Sequence, residues 1–281
     1  MKFRVSSTLE YTIRNEGTIL LNLHASKTPS QTVYEESFVV EPAGKSQELW
    51  SATGENRFLR LDISESLNIK ISYSATVDTR YQLLSAELLD DTPLSLYTTY
   101  VLMYLNPSRY CQSDKLYRFA ENKFGKIKNG FEKVLAVCDW IYNNIQYLPG
   151  STNAQTSAFD TITEQAGVCR DFAHLGIALC RALTIPARYF TGYAYQLKPA
   201  DFHACFEAFL GGKWIIFDAT RLAPLNGLVK IATSKDAADA SFAGLFGEVS
   251  SQTVSVSCEV LDPGFLPVSY QSQDINGVTF D

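Results

Sequence analysis

The sequence has no long apolar run, no cluster of basic residues and few histidines, three in 281 residues. A helix needs about 20 consecutive apolar residues to cross a bilayer, and no stretch approaches that length. The formal charge of −6 and the scattered Lys and Arg residues argue against nucleic acids or anionic membranes as partners. We therefore expect a globular protein that binds neither nucleic acid nor membrane.

The six cysteines form no CxxC pair and lack the spacing of zinc ligands. Reduced thiols are typical of cytoplasmic proteins. Residues 1–7 begin directly with strand-like alternation and lack the apolar core of a secretory signal. The sequence thus predicts a cytoplasmic protein with free thiols; the alternative of a signal peptide that was removed earlier stays open.

Residues 1–90 have the pattern of a β domain. Apolar and polar side chains alternate over 19–26 and again over 67–75, which is the period of a half-buried strand. Turn-forming clusters separate such runs, so we expect a small antiparallel sandwich. His24 falls on the polar side of its run, which predicts a solvated or hydrogen-bonded surface histidine.

The remaining chain, 91–281, mixes helical and strand patterns. The boundary is expected at Asp90–Pro93, an acidic segment that ends in proline. Helical spacing of apolar residues over 131–145 predicts an amphipathic helix, with Cys138 as a small buried side chain. A strand is predicted over 187–195. The whole chain is therefore expected to be an α+β protein of two domains.

The stretch 167–175 places a cysteine where a loop becomes a helix. Residues 171–183 are apolar on nearly every side, which predicts a buried helix. A helix N-terminus presents unpaired N–H groups and a partial positive charge, and both favour a thiolate. Cys169 is therefore a candidate nucleophile, although a small packed side chain is the alternative. Arg170 and Asp171 are expected to form ion pairs or caps there.

A cysteine nucleophile needs a base, and the base needs an orienting group. His174 follows Cys169 by five positions, which is about 140° around a helix. It therefore points elsewhere and is expected to be structural. Since His24 is expected at the surface, His203 remains as the candidate base.

The residues around Gly211–Gly212 predict a hairpin, because two apolar runs flank this tight-turn signal. A two-residue turn places Cys205 opposite Asp218. Side chains alternate along strands, so His203 and Asp218 lie diagonally on one face, roughly 7–8 Å apart between Cα atoms. Spacing alone thus supplies a base and its orienting carboxylate, whereas a three-residue turn would move the carboxylate to the other face. Cys205 is expected to be a wall residue.

These residues fall in four ordered blocks, Gly167–Ala173, Ile185–Tyr189 with Gly192–Tyr193, Asp201–Ala204, and Trp214 with Phe217–Thr220. In order and spacing, the blocks resemble the transglutaminase-like superfamily. The resemblance extends over residues 100–240. Residues 1–90 look like the β domain that precedes this core in bacterial members.

The resemblance implies a papain-like core with a Cys-His-Asp triad behind an N-terminal antiparallel β-sandwich. Matching positions make Cys169 the nucleophile, His203 the general base and Asp218 the orienting carboxylate. Cys205 stands where members often have tryptophan, which puts the substrate preference in question rather than the chemistry. No dense acidic cluster matches the calcium sites of the animal transglutaminases, so we expect no metal and no cofactor.

The implied function is thiol-dependent acyl transfer on a peptide or protein amide through a thioester. Hydrolysis by a cysteine peptidase or amidase is slightly favoured, because excluding water requires an enclosed tunnel that the sequence does not show. Transamidation to a lysine or another amine, and a non-catalytic binding module, stay open. The backbone N–H of Cys169 is the expected first oxyanion donor, and Tyr147 or Gln165 could be the second. The sequence does not indicate an oligomeric state.

Overall fold

The computed structural model describes residues 1–270 and 276–281. The first strands are β1 (Lys2–Leu21), β2 (Gln31–Glu41), β3 (Ser46–Trp50), β4 (Arg57–Ile63), β5 (Leu67–Thr79) and β6 (Gln82–Ser85). The middle of the chain contains α1 (Thr99–Leu102), α2 (Ser113–Phe124), α3 (Gly130–Asn144), β7 (Gln146–Tyr147), α4 (Ala158–Glu164), β8 (Ala166–Gly167) and α5 (Cys169–Ala182). It is followed by β9 (Ala187–Ala194), β10 (Phe202–Leu210), β11 (Lys213–Phe217), β12 (Leu228–Ser234), β13 (Ala243–Val260) and β14 (Asn276–Thr279). The predicted α+β class is confirmed.

The first sheet is antiparallel, with the order β2-β5-β1-β4-β3 and with β13 paired to β1. Strand β1 pairs with β5 over its first part and with β4 over its last residues. A register shift between Ile13 and Gly17 marks a bulge, and bulges bend strands, so the sheet curls. Every second side chain from Ile69 to Ala75 in β5 is buried, which confirms the predicted alternation.

Each of the two main sheets contains a strand from the other side of residue 90 in the sequence. Strand β13 pairs with β1 from Phe3 opposite Val260 to Leu21 opposite Ala243, so it lies in the first sheet. In the other direction, β6 pairs with β14 in the second sheet. The predicted boundary between 1–90 and 91–281 therefore does not separate the two sheets completely. Strand β13 from the second part lies in the first sheet, and β6 from the first part lies in the second sheet.

The prediction that His24 lies at the surface is wrong. Its side chain is 2% exposed, with its ring centroid 4.8 Å from that of Tyr73 and 5.2 Å from that of Phe38. Burial is the main cause that lowers the pKa of His24 to about 4, so the ring is neutral near neutral pH. Strand β1 ends at Leu21, so the alternation that placed His24 outward does not continue to it.

The second sheet has the order β12-β9-β10-β11-β14-β6. Helix α5 packs against β9 and β10 and is buried over nearly its whole length, as predicted. Helix α3 also packs on α5 and buries Cys138, again as predicted. No helix among the described residues is long and apolar enough to cross a membrane. This packing fixes the start of α5 relative to the sheet.

A close contact between α5 and β10 makes Gly176 sensitive to substitution. A Cβ placed on Gly176 would lie 2.5 Å from Cε1 of Phe206. The Phe206 ring is fully buried and stacks on Phe217, with 5.6 Å between centroids, so it has little room to move. We expect Gly176→Val to lower the free energy of unfolding by about 1–3 kcal/mol, measured by thermal or urea unfolding.

The matched control is Gly44→Val, because no atom lies within 4 Å of a Cβ placed on Gly44. This variant should stay within about 0.5 kcal/mol of the wild type. Equal unfolding midpoints for Gly176→Val and the wild type would contradict the close contact.

Candidate active site

Cys169 is the first residue of α5 and is partly exposed. The fully buried carboxylate of Asp171 holds the turn before it, because Oδ2 accepts the N–H of Val168 at 3.0 Å and the hydroxyl of Thr152 at 2.9 Å. Arg170 pairs with Oδ1 of the same carboxylate at 2.8 Å. The predicted roles of Arg170 and Asp171 as an ion pair and a cap are confirmed, and they fix the backbone around the thiol.

The hairpin of β10 and β11 has the predicted register. Leu210 lies opposite Lys213, and both turn glycines have positive φ, 56° for Gly211 and 79° for Gly212. Asp218 directly follows β11, and its Oδ2 lies 2.9 Å from Nε2 of His203. The predicted proximity of these two side chains is therefore confirmed as geometry.

The carboxylate of Asp218 is held on its other side as well. Its Oδ1 accepts the hydroxyl of Thr220 at 2.6 Å and the backbone N–H of Thr220 at 2.9 Å. Burial raises the pKa of Asp218, but the charge of His203 and the hydrogen bonds from His203 and Thr220 outweigh it, so the pKa lies below its usual value. Asp218 is thus a fixed anion beside the imidazole.

His203 is 1% exposed and still has a raised pKa. Burial lowers the pKa of His203, but charge at Cys205 and Asp218 offsets burial. The hydrogen bond with Asp218 and the nearby side chain of Cys169 act in the same direction, so the pKa lies well above its usual value. Burial also raises the pKa of Cys205 to about 12, so this thiol is neutral near neutral pH. Because the Cys205 thiol carries no charge near neutral pH, the carboxylate of Asp218 is the group that keeps the pKa of His203 raised there.

Cys169 and His203 both line one cavity, which has a volume of about 310 Å³. In the described part of the chain, Nδ1 of His203, which Asp218 leaves free, has no hydrogen-bond partner of normal geometry. This nitrogen is thus available to a thiol or a substrate. Small side chains line much of the cavity, among them Ala204, Ala237 and Ala240.

The two candidates for the second oxyanion donor occupy different places. Tyr147 is 37% exposed, and burial followed by the charge of Cys169 raises its pKa to about 12. The backbone of Cys169 acts on the pKa of Tyr147 in the opposite direction, so the two residues are neighbours. Gln165 is the left-handed C-cap of α4, and its carbonyl accepts the N–H of Gln146 at 2.8 Å. Tyr147 thus neighbours Cys169, whereas the backbone of Gln165 is used between β7 and α4.

Asp201 lines the cavity and was not singled out from the sequence. Burial raises its pKa, partly offset by the N–H of Phe202 and the charge of His203. No ion pair of Asp201 is present in the described part of the chain, 1–270 and 276–281. Its position two residues before the candidate base, on the same face of a strand, was the signal available in the sequence.

His174 has the structural role that was predicted. It is fully buried and stacks on Tyr110, with 5.0 Å between centroids, and Nε2 accepts the N–H of Ala237 at 3.1 Å. Burial lowers its pKa to about 3, so the ring stays neutral. His174 thus anchors a cavity-lining segment rather than serving as a base.

Two family models match the chain. Residues 1–97 match the bacterial transglutaminase N-terminal domain, and residues 117–219 match the transglutaminase-like superfamily core. The residues of the candidate site, Cys169, His203 and Asp218, all lie within the second match.

Similar proteins of known structure or sequence support the same family assignment. The chain is 54% identical to a crystallised protein from Cytophaga hutchinsonii described as a candidate cysteine protease, with a TM-score of 0.98, covering 100% of this chain and 98% of that one. An uncharacterized protein of Mycobacterium leprae is 25% identical over 56% of this chain and 59% of its own length. One from Mycobacterium bovis is 34% identical over 36% of this chain and 31% of its own. The chain thus spans less than two thirds of the length of these two curated relatives. Together, the family models and the Cytophaga hutchinsonii structure show that the chain belongs to the transglutaminase-like superfamily, a family of thiol-dependent enzymes.

Proposed function

We propose that the protein cleaves amide bonds of peptides or proteins through a thioester, as a cysteine peptidase or amidase. One observation carries this proposal: the 2.9 Å contact between His203 Nε2 and Asp218 Oδ2 at a cavity that also exposes Cys169. A nucleophile at a helix N-terminus, a base and an orienting carboxylate are the parts that thiol acyl transfer requires. The Cytophaga hutchinsonii relative, described as a candidate cysteine protease, supports the same chemistry.

The reaction follows from the position of each group. The Cys169 thiolate attacks the amide carbonyl carbon, and the carbonyl π electrons move to the oxygen. His203 then donates the Nδ1 proton to the leaving nitrogen as the C–N bond breaks, which leaves a thioester and a free amine. Water attacks the thioester with His203 as base, and the products are a carboxylic acid and the regenerated thiol. Asp218 keeps Nδ1 directed at the reacting atoms throughout.

The oxyanion is stabilised by the Cys169 backbone N–H and the Tyr147 hydroxyl. Both groups meet at the start of α5, where the helix N-terminus adds partial positive charge. The Tyr147 hydroxyl, with a pKa raised by burial to about 12, stays protonated and can turn to donate to the carbonyl oxygen. Gln165 is assigned no catalytic role.

Transamidation is the second candidate, and Asp201 is the observation in its favour. Its carboxylate lines the catalytic cavity without an ion pair among the described residues. Such a group could bind the ammonium form of an acceptor, which takes the acyl group instead of water once His203 has removed its proton. Hydrolysis remains favoured, because water always competes unless a site excludes it.

The test is mass spectrometry of a peptide library incubated with the protein, with and without an added primary amine. Hydrolysed fragments would support the peptidase or amidase, and amine-linked products would support the transamidase. The control is Cys169→Ala, which should yield neither product. No product from the wild type would favour the third alternative, a non-catalytic binding module.

The compartment and the partners are also part of the proposal. We place the enzyme in the cytoplasm because its cysteines, Cys111, Cys138, Cys169, Cys180, Cys205 and Cys258, are all free thiols. Its partner is a peptide or protein amide, and neither nucleic acid nor membrane is proposed, given the net charge of −6.

A further inference from the structure

We propose that His203, Cys205 and Asp218 form a binding site for a soft divalent cation, for which Zn²⁺ is the physiological candidate. One potential ligand atom from each of these three side chains lies within 4.8 Å of the other two. His203 and Cys205 lie in β10 and Asp218 directly follows β11, so the register of this hairpin fixes their arrangement. Occupancy of this site would remove the candidate base from use.

The separation of the ligand atoms suits a tetrahedral metal. Zn²⁺ binds nitrogen at about 2.0–2.1 Å and sulfur at about 2.3 Å, so its ligand atoms lie roughly 3–4 Å apart. A limit of 4.8 Å therefore requires only small side-chain shifts. His203 and Cys205 are each 1% exposed and Asp218 is 6% exposed, so the ligands lie in a buried region of low dielectric.

The chemical type of the ligands selects the metal. Thiolate and imidazole favour Zn²⁺ and Co²⁺, whereas Mg²⁺ and Ca²⁺ require several oxygen ligands. This site offers one carboxylate, and the Thr220 hydroxyl and N–H already occupy one of its oxygens. The thiol of Cys205 is the distinctive group, because it is buried and takes no part in the acyl transfer described above.

Binding has a balanced proton count. The Cys205 thiol loses its proton to solvent and donates a sulfur lone pair to the metal. Nε2 of His203 gives up its proton and donates its lone pair, and this replaces the 2.9 Å hydrogen bond to Asp218. Oδ2 of Asp218 and a water molecule complete four ligands. The neutral imidazole then keeps its remaining proton on Nδ1 and has no free lone pair with which to accept the proton of Cys169.

Metal binding can be tested without any activity assay. Co²⁺ is added to the reduced, chelator-treated full chain, and the absorption of a thiolate-to-cobalt charge-transfer band is recorded. The wild type should show the band at one equivalent, and Zn²⁺ should displace it. Cys205→Ala should bind at least ~10-fold more weakly and lack the band. Cys205→Ser, which preserves size, should also lack it, which separates lost ligation from lost packing.

Two further variants serve as controls. Cys258→Ala removes a thiol of β13 in the first sheet, and Cys169→Ala removes the nucleophile. Both should keep the charge-transfer band. A band that persists in Cys205→Ala, or one lost only in Cys169→Ala, would overturn the proposal, as would the absence of any band in the wild type. Inhibition of amide cleavage by Zn²⁺ is expected only if the proposed function holds. The cobalt band tests the metal site without that function, so failure of the metal site can be told from failure of the proposed function.

Discussion

Replacing Cys169 by alanine should lower kcat for amide cleavage by at least ~10³-fold, because Cys169 is the only thiol among the described residues that line the cavity. The thiol is partly exposed at the first position of α5, and the turn before it is held by Asp171 rather than by Cys169 itself. The folded structure should therefore survive, with an unfolding midpoint close to the wild type. Initial rates on a peptide found by the library experiment measure the effect.

Cys258→Ala is the matched control for that substitution, since Cys258 is also a partly exposed thiol but lies in β13. It should keep most of the activity. A Cys169→Ala variant with activity comparable to that of Cys258→Ala would show that the acyl group does not pass through Cys169.

Asp218→Asn should lower kcat by roughly 10²–10⁴-fold, because an amide can donate to Nε2 of His203 and so favour the wrong tautomer. It should also change the pH profile. Burial lowers the pKa of His203, and Asp218 is the group that keeps it raised near neutral pH. Without the carboxylate the pKa of His203 falls, so the imidazolium is lost at lower pH. The alkaline limb of kcat/KM should therefore move to lower pH.

The measurement is kcat/KM against pH for the wild type, Asp218→Asn and a control, Asp139→Asn. Asp139 is an exposed carboxylate that pairs with Arg221 on the surface, and exposed pairs contribute little. The control should keep the wild-type rate and profile. A slow Asp218→Asn variant whose alkaline limb stays in place would indicate that Asp218 acts on the fold and not through His203.

Much of the fold followed from local patterns in the sequence. The alternation in β5 and the helical spacing in α3 each bury a continuous face, so the pattern determines the element. The pairing of β13 with β1 joins residues about 240 positions apart, and no local pattern specifies such a partner. His24 was misplaced for a related reason: the pattern did not show where β1 ends, and tertiary packing against Tyr73 buries the ring.

The candidate site was predictable to the extent that it rests on one hairpin and one helix start. A two-residue turn fixes which side chains share a face, and this parity brought His203 and Asp218 together. Tyr147 lies on a short strand before the nucleophile, and Asp201 directly precedes β10. Their approach to Cys169 depends on how separate elements pack. Spacing along the chain carries no information on that packing.

Selective alkylation of Cys169 by iodoacetamide at mildly acidic pH tests the central claim most directly. Burial raises the pKa of each of the other five thiols, at Cys111, Cys138, Cys180, Cys205 and Cys258, and so slows their reaction. If Cys169 and His203 form a thiolate-imidazolium pair, peptide mapping should find one adduct, on Cys169, long before any other. Uniform slow labelling of all six thiols in the folded protein would contradict the account.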